Sequence, residues 1–206
     1  MYARSTTVLA HRENMDHGIA LIRDEIMPAV LDMPGCIGMS MLADRESGRC
    51  IATTAWDSRE AMEASATTVR PMRDRAADAL GGTAQVDEWE IGVLHRDHPS
   101  EPGACVRVTW VRVEPSAMDR SVEVYRTMLL PEMEQIAGFC SASLLLDRDE
   151  GLSVSSVTYD SREAMGASRD AASRIRETAM QEIGGEVLEV REFELALAHL
   201  RVPELV

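Results

Sequence analysis

Trp56-Asp57-Ser58-Arg59-Glu60-Ala61-Met62 returns 103 residues later as Tyr159-Asp160-Ser161-Arg162-Glu163-Ala164-Met165. The same offset pairs Met15-Asp16 with Met118-Asp119, Arg23 with Arg126 and Pro28 with Pro131. It also pairs Gly35 with Gly138, Asp44-Arg45 with Asp147-Arg148, Gly48 with Gly151 and Gly81-Gly82 with Gly184-Gly185. One residue is inserted after the double glycine, and Val86, Glu88, Trp89, Glu90 and His95 then meet Val190, Glu192, Phe193, Glu194 and His199. The match holds 27 identities over residues 8–95, so the 206-residue chain is a tandem duplication. A period of this length is too long for a solenoid repeat and corresponds to a whole small domain. The expected division is residues 1–97, a Pro/Gly/Ser linker at 98–103 that starts at His98, and residues 104–206.

Each half reads as β-α-β-β-α-β. The first strand is expected at Ser5–His11, with Cys105–Val113 as its counterpart. Ile19, Ile22, Ile26, Ala29 and Met33 recur at spacings of 3 and 4, which predicts a helix with one apolar face; Pro28 and Pro131 fall inside that period and predict a kink. Ile37–Ala43 and Arg49–Trp56 predict a hairpin around the Asp44–Gly48 turn. Asp57 or Ser58 is expected to cap the second helix, which carries Val69, Met72, Ala76 and Leu80 and stops at Gly81-Gly82. Val86–His95 is the last strand, with Trp89, Ile91 and Val93 alternating against Glu88 and Glu90. This order is the ferredoxin-like split unit, with helices on one sheet face only. A partner unit is needed for the other face, and the second copy supplies one.

Composition narrows the function. A net charge of −14 argues against nucleic acid and against an anionic membrane surface. No secretory h-region or long apolar run occurs, which predicts a cytoplasmic protein. Cys36, Cys50, Cys105 and Cys140 form no C-x-x-C pair and have no His at zinc-ligand spacing, so reduced, mostly buried thiols and no metal are expected. No phosphate-binding glycine loop or nucleophile elbow is present.

Thr54-Ala55-Trp56-Asp57-Ser58-Arg59-Glu60-Ala61-Met62 resembles the W-x-S-x-E-A signature of the antibiotic biosynthesis monooxygenase family, and Pro34-Gly35-Cys36-Ile37-Gly38 resembles that family's P-G strand entry. In the second half Gly138 alone of that entry is kept, and Tyr159 replaces the tryptophan. The resemblance implies an α+β fold in which two tandem ferredoxin-like units form a pseudo-dimeric α+β barrel, open to further homodimerisation. It implies a cofactor-independent monooxygenase of an aromatic or quinone-like small molecule, with no cofactor. The alternative is a non-catalytic small-molecule-binding or stress-responsive protein on the same scaffold. Haem degradation is disfavoured, because no histidine lies between Asp57 and Leu94 or between Asp160 and Ala198, where the resembling enzymes carry the iron ligand.

The resemblance puts a pocket between sheet and helices of each unit. Trp56, Trp89, Trp110, Tyr125, Tyr159 and Phe193 are its candidate walls, and His11, His95, His199, Arg23 and Arg126 its candidate polar groups. Core packing or surface pairing is the competing assignment for each. No catalytic residue is assigned. The first half is expected to keep the working pocket, since it retains Trp56 and the P-G entry. An enclosed volume of about 300 Å³ or more with a convergent polar group is the expected mark of an enzyme.

Overall fold

The structure is a computed structural model that describes residues 1–200 and Leu205, with the Leu200 side chain and the remaining C-terminal residues, which the expected second unit included, outside the description. The first repeat runs β1 (Tyr2–Leu9), α1 (Met15–Leu21), α2 (Met27–Leu31), β2 (Cys36–Ala43), β3 (Arg49–Trp56), α3 (Arg59–Ala64), α4 (Ala66–Leu80) and β4 (Ala84–Arg96). The second runs β5 (Cys105–Arg112), α5 (Met118–Val124), α6 (Leu130–Met133), β6 (Phe139–Asp147), β7 (Leu152–Tyr159), α7 (Arg162–Ala167), α8 (Arg169–Ile183) and β8 (Glu186–Leu200). The fold class is α+β, built from two tandem ferredoxin-like units, as expected.

The chain sorts into two compact units. The first holds Met1–Trp89 and the chain from Leu195, with strand order β4-β1-β3-β2-β8. Its core gathers Met15, Ile22, Val30, Met41, Trp56, Met62 and Leu80, with Ala196 and Leu197 packed against it. The second holds Glu90–Glu194 and Leu205, with strand order β8-β5-β7-β6-β4. Val93, Met118, Tyr125, Phe139, Leu146, Tyr159 and Met165 are in its core. Each unit therefore completes its sheet with part of the other repeat's last strand. The two registers are the same: Tyr2 faces Trp56 as Cys105 faces Tyr159.

Local chemistry explains the elements. Ser58 and Ser161, not Asp57, are the helix caps: their hydroxyls accept from the amides of Ala61 (3.2 Å) and Ala164 (3.1 Å). Gly81 and Gly184 end the long helices at φ 79° and 66°, the left-handed conformation that glycine adopts without strain.

Three expectations are corrected. The first strand covers Tyr2–Leu9 rather than Ser5–His11, since His11 already leads into a 3-10 turn at Arg12–Asn14. The prolines do not simply kink the first helix. A π-turn at Ile22–Ile26 precedes Pro28, and another at Tyr125–Leu129 precedes Pro131. A proline cannot donate its helical bond and crowds the carbonyl four residues back, and a widened turn relieves both problems. The second helix is divided at Ser65 and at Ser168, where each hydroxyl donates to a carbonyl three residues back, Met62 O (2.7 Å) and Met165 O (2.8 Å).

Candidate functional site

The strand alternation of β5 turns Arg107, Thr109 and Val111 toward the helices of the second unit. There they line a cavity of about 80 Å³ between the sheet and α5, the π-turn, α6 and α8. Its walls are mostly apolar, with Val124, Leu129, Met133, Leu144, Val157, Ile175 and Ile183 among them. Arg107, Tyr159 and Arg176 are its charged and phenolic lining, and Tyr125 and Ser155 add hydroxyls. The volume exceeds the roughly 10–15 Å³ that one water requires but is below the roughly 300 Å³ of a drug-sized pocket. This cavity is in the second repeat, whereas the sequence had pointed to the first.

Matched positions give the physical reason. In the first repeat Gly18 carries no Cβ, and a Cβ there would overlap the Leu80 side chain, so helix and leucine close on each other. Their counterparts Ser121 and Ile183 both line the cavity. Trp56 is fully buried in the first core and donates its indole N–H to Thr54 Oγ1 at 3.0 Å. Its counterpart Tyr159 is smaller, and Val157 stands in place of Thr54.

The polar end is organised by Arg107, whose side chain is 5% exposed. It donates to Ser168 Oγ (2.7 Å), Met165 O (2.6 Å), Glu192 Oε1 (2.8 Å) and Tyr159 OH (3.3 Å). It thereby shares the Met165 carbonyl with the Ser168 hydroxyl at the point where the second helix divides. Glu192 is shared with Arg169 at 2.7 Å. The first repeat repeats most of this: Arg4 donates to Ser65 Oγ (3.1 Å), Met62 O (2.9 Å) and Glu88 Oε1 (2.9 Å). Arg176 differs. It is half-buried, it lines the cavity, and among the described residues it has no hydrogen bond or ion pair. Burial, and then the like charge of Arg107, push its guanidinium below its ordinary pKa. The Tyr125 hydroxyl meets Ser155 Oγ at 2.9 Å, and burial raises its pKa above the ordinary tyrosine value.

Glu192 links the site to stability. The bond from Arg169, opposed by burial and reinforced by Arg107, holds its pKa at about 2 instead of 4.5. A carboxylate depressed in the folded state stabilises fully above its unfolded pKa and loses that contribution as pH falls through the folded value. That contribution is present at pH 6 and is lost as pH falls from about 4.5 to about 2. Urea unfolding followed across that window is expected to show this slope in the wild type and a flatter one in Glu192→Gln; equal slopes would contradict the assignment.

Of the residues singled out from sequence, the structure brings Tyr125 and Tyr159 together at the cavity. Trp89 is buried in the first unit and donates to Ser5 Oγ at 2.8 Å, and Phe193 is buried in the second. Trp110 lies between the lining residues Thr109 and Val111 on its strand and faces away from the cavity. His95 stacks on Phe139 with Nε2 2.7 Å from Glu134. His11 and His199 are exposed, and Arg23 is exposed and pairs with Asp24. Arg126 donates to Gly92 O at 2.7 Å.

Arg107, Ser168, Arg176 and Glu192 were missed, although Arg4, Ser65, Arg73 and Glu88 stand at their repeat-matched positions in the sequence. Also missed was a group in the second unit, His98, Cys140 and Asp160, whose ligand atoms all lie within 4.8 Å of one another. Its members are far apart in sequence, and no local spacing marks them.

The second unit of this duplicated ferredoxin-like chain thus holds an apolar cavity between sheet and helices whose lining includes two guanidinium groups. The chain belongs to the antibiotic biosynthesis monooxygenase family, whose family model matches residues 1–69. Proteins Rv2557 and Rv2558 of Mycobacterium tuberculosis are each 56% identical to it over the whole of this chain, covering 92% and 88% of their own lengths. Among solved structures, an anthrone oxidase-like protein has a TM-score of 0.63 at 15% identity, covering all of this chain and 95% of that one. A haem-degrading enzyme from Listeria monocytogenes has a TM-score of 0.56 at 7% identity, covering 95% and 99%. At these identities the two structures bear on the fold alone. No helix among the described residues is long and apolar enough to cross a membrane.

Proposed function

We propose that the second repeat binds a small, mostly apolar compound that carries an acidic or anionic oxygen, of the phenolic or quinone-like kind. The observation that carries this reading is Arg176, a half-buried cation that lines the apolar cavity beside Arg107 and has no hydrogen bond or ion pair among the described residues. A guanidinium held out of water favours an anionic oxygen that bulk solvent would otherwise hold. The apolar walls bind the ring, and Tyr125 and Ser155 offer neutral hydroxyls along it. The proposed setting is the cytoplasm, in line with the acidic composition.

A second reading is cofactor-independent oxygenation. There the substrate supplies the electrons: an anthrone methylene and O₂ give a carbonyl and water. Two guanidinium groups favour that reading, since they stabilise the anion that must form first. Binding without turnover is placed ahead of it because, among the described residues, no carboxylate or imidazole lines the cavity to remove a proton.

A panel of anthrones, hydroquinones and hydroxylated naphthalenes tests both readings on the full chain, by calorimetric titration and with an oxygen electrode. Micromolar binding of at least one compound is expected. Oxygen uptake above background would favour the second reading, and no binding by any compound would contradict both.

A further inference from the structure

We propose that His98 Nε2, Cys140 Sγ and an Asp160 carboxylate oxygen form a binding site for a borderline-soft divalent cation, best matched by Zn²⁺. The three residues offer one imidazole nitrogen, one thiol sulfur and one carboxylate oxygen, a donor set that zinc takes in tetrahedral sites. The cluster is already gathered around Asp160 Oδ1, which accepts from His98 Nε2 at 2.8 Å and from Cys140 Sγ at 3.0 Å. Zinc holds such donors at about 2.0–2.3 Å. The edges of that tetrahedron, about 3.3–3.8 Å, require shifts of roughly 1 Å from the present positions. On binding, the cation replaces the thiol proton, which leaves to the buffer, and a fourth coordination position stays open to water.

The backbone aims these groups at one point. The β6–β7 register shifts between Phe139 and Ser141, so Cys140 is the extra residue of a β-bulge, a device that redirects a side chain. The amides of Asp97 and His98 both donate to Cys140 O, at 2.9 and 3.4 Å, and dock the start of the sequence linker onto that bulge. The Asp160 amide donates to Gly138 O at 2.8 Å. On the far side of the imidazole, Asp97 Oδ2 lies 2.8 Å from His98 Nδ1. That is the carboxylate–histidine arrangement that orients a metal-bound imidazole. Cys140 is buried while His98 and Asp160 are partly exposed, so a cation reaches the site from solvent. The first repeat has the same bulge with Ile37 in place of Cys140, and its Asp57 accepts from Ser58 instead. The donor set thus arose in one repeat only.

Co²⁺ serves as the spectroscopic probe and Zn²⁺ as its competitor, on the full chain after chelator treatment. One Co²⁺ per chain is expected, with a thiolate-to-cobalt charge-transfer band in the near ultraviolet that Zn²⁺ abolishes. Cys140→Ser is expected to remove the band. His98→Ala, at a partly exposed position that leaves the fold intact, is expected to weaken binding at least about tenfold, and Asp97→Asn by roughly 10–100-fold. Cys36→Ser, which alters the half-buried thiol of the first repeat, is expected to leave band and stoichiometry unchanged. The proposal is overturned if the wild type takes up no Co²⁺ or Zn²⁺. It is equally overturned if the band persists in Cys140→Ser, disappears in Cys36→Ser, or is indifferent to His98→Ala.

Discussion

Arg107→Ala is expected to destabilise the second unit by about 3–5 kcal/mol, the usual cost of removing one partner from a buried ion pair. The guanidinium is 5% exposed and supports Glu192, Ser168, the Met165 carbonyl and Tyr159 together. Alanine leaves Glu192, itself only 25% exposed, with Arg169 as its sole partner among these groups and leaves the Met165 carbonyl without its charged donor. The matched change Arg4→Ala is expected to cost less, about 2–3 kcal/mol. Glu88 is 47% exposed and can be rehydrated, and no tyrosine hydroxyl is bound there. Urea unfolding of both variants by circular dichroism checks the order. A loss under about 1 kcal/mol for Arg107→Ala would show that the network is incidental.

Trp56→Ala is expected to cost about 3–5 kcal/mol, the range for a large aromatic removed from a core that cannot collapse around the gap. The side chain has no exposed surface and sits among Met41, Met62 and Leu80. Trp56→Phe keeps most of the burial and loses the indole bond to Thr54, so about 1–2 kcal/mol is expected. These values separate core from pocket wall. A wall facing an open cavity has fewer contacts to lose, and alanine there would cost under about 1 kcal/mol. Chemical unfolding of the pair of variants decides between the two roles.

The fold was legible because the duplication gave every element two readings. The caps at Ser58 and Ser161 and the stops at Gly81 and Gly184 rest on local rules that tertiary packing does not override. The π-turns were less legible: a proline at a fixed place in an apolar period signals trouble for the helix, but not whether it bends or widens. The division at Ser65 and Ser168 was hidden, since it depends on an arginine from a strand some 60 residues away in sequence.

The site was legible only in part. Aromatic residues suggest pocket walls in the sequence, yet Trp56, Trp89 and Phe193 are where their large area stabilises most, in the core. Arg107 is not legible as a hub, because a charged residue within an apolar strand reads as an exception. The hollow in the second unit follows from the difference between Gly18 and Ser121, which alters how nearly a helix approaches its neighbour. His98 was read as linker, and its approach to Cys140 depends on two backbone bonds that no composition rule contains.

The proposed function places an anionic small molecule against Arg176 in the second repeat. Calorimetric titration of the best ligand from the phenol and hydroquinone panel into Arg176→Met and Arg73→Met tests it most directly, because these are matched positions in the two repeats. At least about tenfold weaker binding, roughly 1.4 kcal/mol, is expected in Arg176→Met, and unchanged binding in Arg73→Met. Equal affinities in the two variants, or a loss confined to Arg73→Met, would contradict it.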